Sequence, residues 1–339
     1  MNTPFYQALS GDRRETYGAL VRRFRTLLDQ ADAVLIGAGS GLSTAAGLTY
    51  SGERFRHYFY DFIRTYGIGD MYSGGFYPFD DECIYWAWWS RHIYINRYVD
   101  APLPVYSQLL NLVQDKDYFV LTTNVDHQFQ RAGFEPARLF YTQGDYGRFQ
   151  SVSPRIPRTY GNERQVTAML EAQGFVKQAG GVYDVPDKGT LSMKIPSSLI
   201  PRCPDDGSRM VPHLRIDNSF VEDNGWHDAN KRYHDFLRHH EKSRILYWEL
   251  GVGMNTPGII KFPFWSYTAD NPRAWYVCLN NGQAFTCGEI EDRSLCIHGD
   301  IARVLGDVTG KEMLYHDTGR TPDLAHSGFM AGNEFPVQG

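Results

Sequence analysis

Short apolar runs, rich in β-branched and aromatic residues, each end abruptly in a polar turn that contains Gly or Asn. Such runs are typical of parallel strands that are buried on both faces and that lead into loops. They predict five strands, at residues 33–36, 118–121, 138–141, 245–250 and 275–279. Amphipathic patterns between them predict helices at residues 17–28, 81–98 and 226–240. This alternation favours an α/β fold, a doubly wound parallel sheet of the Rossmann-like kind.

One part of the chain breaks this pattern. Residues 149–212 are rich in Pro, Gly, Ser and basic residues, and their periodicity is weak. We therefore predict a single catalytic domain in which a small lobe is inserted into a large one. The predicted large lobe comprises residues 1–55, 100–150 and 213–310, and the small lobe comprises residues 56–99 and 151–212. Residues 311–339 are predicted to form a C-terminal extension.

Composition and charge limit the kinds of binding partner and the cellular compartment that we expect. With 42% hydrophobic residues and 22% charged residues, the 339-residue chain has the composition of an ordered globular protein. Its 34 Lys and Arg against 39 Asp and Glu give a net charge of -5, which disfavours nucleic acid and anionic membranes as partners. The five cysteines are scattered, which disfavours a disulfide framework and favours a reducing compartment. Residues 1–25 have no apolar core of a signal peptide, so we predict a cytoplasmic protein and leave organellar import open.

The first predicted strand runs into a glycine-rich turn and then a helix. Such a turn suits a dinucleotide pyrophosphate, because glycines permit close backbone approach and free amides at the helix start can bind the anion. The residues predicted to do so are Gly37, Ala38, Gly39, Ser40, Gly41 and Ser43. An ordinary turn with small residues for helix packing is the alternative. The acidic residue of hydride-transferring Rossmann domains is missing from the next strand, which disfavours a dehydrogenase.

A second polar group follows the next predicted strand. Asn124 and Asp126 lie two residues apart at its end. An amide and a carboxylate there can bind a carboxamide and ribose hydroxyls and can position a water or a leaving group. A simple helix cap is the alternative interpretation of the same two residues.

Taken together, these motifs resemble those of the sirtuin family, in the same order from about residue 30 to residue 305. The glycine loop followed by Phe55 is similar to the family's G-A-G segment, residues 122–126 to its T-Q-N-I-D motif, and Gln143 with Gly144 to its catalytic H-G pair. Gly251 to Gly253 resemble its late loop. The resemblance implies NAD as co-substrate, and catalytic roles for Asn124, Asp126 and Gln143. It also implies NAD contacts at Phe55, Asn124, Asp126, Gln143, Gly251, Val252, Gly253 and Asn280.

Departures from the family pattern indicate a subfamily. Gln143 stands where deacylases keep a histidine, and residues 49–55 replace the usual P-D-F-R loop. Both features resemble the macrodomain-linked, or class M, sirtuins. That resemblance implies protein ADP-ribosylation, with a lipoylated protein related to the glycine-cleavage H protein as one acceptor and a macrodomain hydrolase as the partner that reverses the modification.

The chemistry of glutamine agrees with this. Deacylation needs a base that accepts a proton from a ribose hydroxyl, and glutamine has no titratable group. It can still orient a hydroxyl or an acceptor. We therefore favour a mono-ADP-ribosyltransferase, with an NAD glycohydrolase as the main alternative and a lysine deacylase or a silent NAD-binding module behind it. His127 could replace the base, although a structural histidine is the more ordinary interpretation.

The predicted small lobe also differs from the sirtuin pattern. Sirtuins carry two C-x-x-C pairs that bind structural zinc. Here Ser151 and Pro154 stand at the first pair, and Cys203 is followed by Asp206 at the second. One cysteine of four cannot form a thiolate site. We predict a zinc-ribbon-like lobe that has lost its metal, and no metal ligands elsewhere.

Overall fold

A six-stranded, entirely parallel sheet forms the larger lobe. The computed structural model describes residues 15–186, 190–254 and 257–310. The sheet contains β1 (Ala33–Ala38), β2 (Asp117–Thr122), β3 (Leu139–Tyr141), β9 (Ile245–Leu250), β10 (Trp275–Asn280) and β11 (Ser294–His298). Their order across the sheet is β11-β10-β9-β1-β2-β3. The chain thus winds in opposite directions on the two sides of the β1–β9 pair.

All five predicted strands are confirmed, and the sixth was missed. β1 and β9 are buried along their whole length, as continuous apolar runs predict. β11 is an edge strand of five residues that follows a short 3-10 helix, Gly288–Arg293. Its mixed sequence, from Ser294 to His298, contains no apolar run that stands out from the neighbouring loop.

Helices cover both faces of this sheet, which confirms the doubly wound prediction. One face packs against α1 (Tyr17–Gln30), α2 (Ser40–Ala45), α6 (Val105–Val113), α7 (Gln128–Arg131) and α11 (Ile301–Thr309). The other face packs against α9 (Asn224–His240) and α10 (Lys261–Asp270). The predicted helices at residues 17–28 and 226–240 correspond to α1 and α9.

The second lobe has its own aromatic core. It contains α3 (Gly52–Tyr66), α4 (Met71–Gly75), α5 (Glu82–Ile93) and α8 (Glu163–Gln173), and the strands β4 (Gly144–Ser151), β5 (Thr159–Gly161), β6 (Val176–Lys177), β7 (Tyr183–Asp184) and β8 (Met210–Leu214). The strands β5, β4 and β8 form an antiparallel sheet in that order. The predicted helix at residues 81–98 is α5, and its last turn is a π-helix, Tyr94–Tyr98. Trp86, Trp88 and Trp89 are buried in this core.

The strand β4 connects the two lobes. It begins directly after Gln143, at the edge of the large sheet, and continues into the second sheet. Gly144 permits this junction, because its φ is 108° and an added Cβ would lie 2.1 Å from the carbonyl oxygen of His213. The lobe limits given above remain a prediction. The predicted C-terminal extension lies outside the described residues.

None of the helices in the described part of the chain has both the length and the apolar character needed to cross a bilayer.

Candidate active site

The loops after five parallel strands bring most of the predicted site residues to one edge of the sheet. Gly39 follows β1, Asn124 follows β2, Gln143 follows β3, Gly251 follows β9, and Asn280 ends β10. The strand order reverses at the β1–β9 pair, which is where ligands bind in doubly wound sheets. The topology therefore places the predicted residues at the expected position.

The glycine loop packs directly on the loop after β9. The backbone amide of Gly39 donates to Leu250 O at 3.0 Å, and that of Gly41 donates to Gly251 O at 3.0 Å. An added Cβ at Gly39 would lie 2.8 Å from Gly251 O, and one at Gly41 would lie 2.7 Å from Gly251 Cα. Both glycines are thus required by loop packing. The prediction that the amides of this turn are free for an anion is wrong for these two.

Three other residues of this loop have different surroundings. A Cβ at Gly37 would lie 2.3 Å from Ile260 Cγ2, so this glycine permits close packing of the chain before α10. Ala38 is fully buried, and its carbonyl oxygen accepts from the Thr122 hydroxyl at 2.9 Å. Ser40 is exposed at the first position of α2. Of these three predicted contacts, Ser40 alone presents its side chain to solvent.

Asn124 holds the glycine loop in place. Its side-chain amide donates to Gly39 O at 3.0 Å and to Ser43 Oγ at 3.0 Å. Its backbone amide donates to Thr122 Oγ1 at 3.0 Å, and the residue is 9% exposed. With its amide nitrogen committed to the loop, Asn124 Oδ1 is the atom left to face a ligand.

Asp126 completes this cluster. Ser43 Oγ donates to Asp126 Oδ2 at 2.5 Å, and the amide of Gln128 donates to Oδ1 at 3.2 Å. Burial raises the pKa of Asp126, and the bond from Ser43 opposes that rise. Ser43 also lies 2.8 Å from the hydroxyl of Tyr106. Ser43, Asn124 and Asp126 therefore form one connected buried network.

Gln143 is much less constrained. It is half-buried, and its Nε2 makes a single long contact, 3.4 Å from Thr142 Oγ1. Because β4 pairs with β8 in antiparallel register, Gln143 comes opposite Arg215, whose amide donates to Gln143 O at 3.0 Å. The side chain of Gln143 thus remains available to a ligand at the edge of the sheet.

Arg215 is a neighbour that the sequence did not reveal. Its guanidinium lies 4.2 Å from the Phe220 ring centre and 2.5 Å from Glu222 Oε1. It lies 73 positions along the chain from Thr142, whose carbonyl oxygen it approaches at 3.4 Å. No local spacing could have indicated this contact, since the pairing of β4 with β8 creates it.

Comparisons with known proteins agree with this geometry. No family model matches the chain. The chain is 34% identical over 283 residues to a protein ADP-ribosyltransferase from Staphylococcus aureus, which covers 83% of this chain and 84% of that protein. It is also 31% identical to a probable bifunctional ADP-ribose hydrolase/ADP-ribosyltransferase from Fusarium oxysporum f. sp. cubense, over 83% of this chain but only 46% of that longer protein.

Solved structures give the same fold. The structure of Sir2Tm bound to a propionylated peptide matches with a TM-score of 0.53 at 16% identity, over 86% of this chain and 97% of that one. A second structure, described as the structural basis of sirtuin substrate affinity, matches with a TM-score of 0.51 at 18% identity, over 85% and 98%. The chain belongs to the sirtuin-like protein ADP-ribosyltransferases. The predicted family, fold class and type of enzyme are confirmed.

In this ADP-ribosyltransferase, the surroundings of His127 favour a structural role. It has a left-handed backbone conformation, with φ 56°, and burial lowers its pKa to about 4. Arg97 Nη2 lies 3.4 Å from Nδ1, so Nδ1 acts as the acceptor and the single proton of the neutral ring is on Nε2. Nε2 lies 3.4 Å from Asp145 Oδ2 without the alignment of a hydrogen bond. Since neither nitrogen is left to accept a proton, the structural interpretation is favoured over a replacement base.

A hydrogen-bonded chain of side chains lies behind the cluster and was not found from the sequence. Tyr50 Oη lies 2.9 Å from Tyr146 Oη, which lies 2.8 Å from His92 Nε2. Burial lowers the pKa of His92 to about 3 and raises that of Tyr50 to about 12. All three groups are therefore neutral at physiological pH, and Tyr50 lies in the segment that replaces the usual sirtuin loop.

The late loop of the ADP-ribosyltransferase is held by Asn280. Its amide donates to Val252 O at 3.0 Å, and its Oδ1 accepts from the amide of Gln283 at 3.2 Å. Gln283 Oε1 in turn accepts from the amide of Met254 at 2.9 Å. Gly251 sits against the glycine loop with φ 62°, and Gly253 is the next glycine of the same loop. Asn280 thus determines the shape of this loop.

Phe55 corrects one prediction. It is 2% exposed and lies inside the aromatic core of the small lobe, with its ring centre 5.5 Å from that of Phe59. The resemblance implied an NAD contact at this position. In the structure this side chain packs in the core instead, because residues 52–66 form the helix α3 rather than an open loop.

A cavity lies beside this segment. It measures about 850 Å³ and is lined by both lobes, including Thr49, Ser51 and Arg54. Arg54 donates to Thr49 O at 3.0 Å and to Ile95 O at 2.7 Å. Among the residues that the structure describes, the cavity lining includes none of the three predicted catalytic side chains. It is therefore next to the cluster rather than part of it.

At the tip of the small lobe, hydrogen bonds join two of the residues that stand at the predicted zinc positions. Ser151 Oγ lies 2.6 Å from Ser208 Oγ, which donates to Asp206 Oδ1 at 2.6 Å. Cys203 is buried, and its thiol lies 3.5 Å from the hydroxyl of Tyr160. The described residues contain no cluster of three or more His, Cys, Asp or Glu able to hold a metal. Loss of zinc remains a prediction.

Proposed function

We propose that this chain is a cytoplasmic, NAD-dependent mono-ADP-ribosyltransferase that releases nicotinamide and transfers ADP-ribose to a carboxylate of a protein acceptor. NAD is the co-substrate, in agreement with a structure of the same fold described as Sir2-p53 peptide-NAD+. The observation that carries the proposal is the state of Gln143: a non-titratable side chain at the catalytic edge, nearly free of internal hydrogen bonds. It can bind a ligand but cannot act as a base.

The buried network supplies the other half of the site. Asn124 is held by two donated hydrogen bonds, so its Oδ1 has a defined direction toward the ribose or the carboxamide. Asp126 is connected through Ser43 to the same loop. We assign NAD binding to these residues with the glycine loop, Gly251 and Asn280, and catalytic roles to Asn124, Asp126 and Gln143. Preorganised dipoles of this kind stabilise charge that develops in a transition state.

The transfer step needs no base. The bond between C1′ of the ribose and the nicotinamide nitrogen breaks, and its electron pair leaves with neutral nicotinamide. An oxygen of an ionised acceptor carboxylate then forms the new bond to C1′. Such an oxygen carries no proton to remove, so glutamine at position 143 is compatible with the reaction. Arg215 lies opposite Gln143 and already binds the carboxylate of Glu222, so it can hold an acceptor carboxylate in the same way.

The proposal extends to the acceptor protein and to the enzyme that removes ADP-ribose from it. We propose a lipoylated protein related to the glycine-cleavage H protein as acceptor, on the resemblance to the class M sirtuins. The Fusarium relative combines an ADP-ribose hydrolase with an ADP-ribosyltransferase in its name. That pairing supports a macrodomain hydrolase as the partner that reverses the modification.

The test is incubation of the purified protein with NAD labelled in the adenosine half, with and without a lipoylated carrier protein. We expect nicotinamide release that is stimulated by the acceptor and a label that stays on the acceptor after denaturation. Treatment with a macrodomain hydrolase should remove it. Rapid release of free ADP-ribose without protein labelling would instead identify an NAD glycohydrolase. Efficient deacetylation of an acetyl-lysine peptide would contradict the proposal.

A further inference from the structure

A second cavity lies where the small lobe meets α7, and arginines dominate its lining. It measures about 430 Å³ and is lined by Arg97, Arg131, Arg148 and Arg164, with Asp145 and Glu163 as the acidic side chains. The four arginines come from four different elements: the π-helix, α7, β4 and α8. This concentration of positive charge contrasts with the net charge of -5 of the whole chain.

The charges in this cavity are only partly neutralised. Arg97 donates to Asp145 Oδ1 at 2.9 Å, and Arg131 pairs with Asp100. Arg148 lies 3.8 Å from Asp145, a carboxylate that it shares with Arg97. Arg164 is exposed and forms no ion pair with any residue that the structure describes. Four arginines thus stand against the carboxylates of Asp145, Glu163 and Asp100, which leaves one positive charge of this group unbalanced.

The start of α8 adds to this potential. Asn162, Glu163 and Arg164 all line the cavity, and they are the N-cap and the first two residues of this 11-residue helix. The side chain of Asn162 does not cap the helix, because it accepts from Tyr98 Oη at 2.6 Å and donates to Tyr146 O at 2.8 Å. The first turn of α8, which carries the acidic Glu163, thus borders the arginine cavity without a side-chain cap, and the positive end of the helix dipole lies at this border.

The lining of the arginine cavity and the set of predicted NAD contacts have no residue in common. Asp145, Gly147 and Arg148 of β4 line the cavity, whereas Gln143, directly before β4, is the predicted NAD contact in this part of the chain. Tyr146, between them, joins the chain of Tyr50 and His92 instead. A ligand in this cavity would therefore occupy a place separate from the predicted NAD site.

We infer that this arginine cavity binds a small molecule that carries a phosphate group. Guanidinium groups that converge from four elements suit a tetrahedral anion, which accepts hydrogen bonds from several directions. A single carboxylate can pair with only one or two of them. The volume is in the range of small-ligand sites and exceeds that of phosphate alone, so the remainder of the molecule has room as well.

The test uses inorganic pyrophosphate as the probe and isothermal titration calorimetry on the full chain. Titrations are run with and without saturating NAD, because pyrophosphate can also enter the NAD site. We expect one pyrophosphate site to persist in the presence of NAD. Its affinity should fall about tenfold or more in the double variant Arg148→Gln/Arg164→Gln and should weaken with added salt. The matched control, Arg22→Gln/Arg56→Gln, removes the same charge from two exposed helix positions and should bind as the wild type does.

Each other outcome overturns the inference. Complete competition by NAD would place pyrophosphate in the NAD site. Equal weakening in both double variants would mean unspecific attraction to arginine. Tighter binding of an oligo-glutamate peptide than of pyrophosphate would identify an acidic protein segment as the ligand. NAD binding is read in the same titrations, so failure of the proposed function is seen separately from failure at this cavity.

Discussion

The edge of the large sheet and the tip of the small lobe both contain groups of hydrogen-bonded polar side chains, but the two groups differ in how fully they are bonded. At the tip, the bonds among Ser151, Ser208 and Asp206 satisfy one another in a closed set. At the edge, Asn124 and Ser43 are also bonded, yet Gln143 next to them is almost free. A closed set stabilises a turn, whereas an open one leaves hydrogen-bonding capacity for a ligand.

The difference distinguishes two kinds of predicted position. Ser151 and Asp206, at two of the predicted zinc positions, are joined through the hydroxyl of Ser208, so hydrogen bonds hold this turn together. Gln143 keeps a polar side chain whose one internal contact, 3.4 Å from Thr142 Oγ1, is long. The fold therefore places little demand on this side chain. The comparison separates residues that are bonded into the fold from one that is available to a ligand.

The largest expected effect concerns Gln143 and Asn124 at the edge of the large sheet. We expect Gln143→Ala and Asn124→Ala each to lower acceptor labelling from NAD by about 100-fold, because both remove oriented hydrogen bonds from the site. Gln143→Ala should leave thermal stability nearly unchanged. Asn124→Ala should lower the free energy of unfolding by roughly 1–2 kcal/mol, since Gly39 O and Ser43 Oγ lose their donor. Labelling rates and thermal melts measure the two effects.

An exposed glutamine serves as the control for these variants. Gln114→Ala, at the end of α6, should match the wild type in both assays. Full labelling by Gln143→Ala would show that another group orients the acceptor.

The next effect separates a structural histidine from a catalytic one. Burial lowers the pKa of His127 from 6.5 to about 4, so the unfolded chain binds this proton more readily. The stabilisation is complete above about pH 6.5 and is lost as the pH falls toward 4. His127→Asn keeps a residue that tolerates φ 56° and does not titrate. We expect the wild type to lose roughly 2 kcal/mol more than this variant between pH 7 and pH 4.5.

Urea unfolding at a series of pH values gives the required free energies. His92 titrates in both proteins and cancels in the comparison. Parallel pH profiles would mean that His127 is not buried in its neutral form.

A smaller effect is expected at the tip of the small lobe, where the polar side chains are bonded to one another. Ser151→Ala removes one partner of the 2.6 Å contact with Ser208, and Ser151 is 2% exposed. We expect a loss of about 1 kcal/mol in the free energy of unfolding, with labelling unchanged. Denaturant titration and the labelling assay test this together. A loss of activity at unchanged stability would mean that the tip takes part in catalysis.

The last prediction concerns zinc, for which we expect no effect on stability. Purified protein should contain well under one zinc per chain, and a chelator should leave its melting temperature unchanged, because Cys203 lacks thiolate partners for a metal site. Elemental analysis and melts with and without chelator measure this. One bound zinc per chain, lost in Cys203→Ser, would show that the lobe binds metal through residues not recognised as ligands.

The sequence by itself determined the strands and the residues at their ends. Buried parallel strands appear as continuous apolar runs, and the motifs that follow them are local. Five of the six strands of the large sheet, and the positions of Asn124, Gln143 and Asn280, could therefore be predicted, whereas the short strands of the second lobe could not. The strand Ser294–His298 was missed because it lies at the edge of the sheet, where it pairs with β10 alone, and because its sequence mixes polar and apolar residues.

Only the tertiary structure decided what each of these residues contacts. The sequence alone does not say why residues 39 and 41 are glycines, and contact with Gly251, more than 200 residues away, shows that close loop packing requires both. Phe55 turns into the core, and Arg215 comes opposite Gln143 through pairing of β4 with β8. The four arginines of the second cavity come from separate elements. A pattern along the chain reports burial and local geometry, whereas contacts between distant segments depend on how the elements pack, and no local spacing records that.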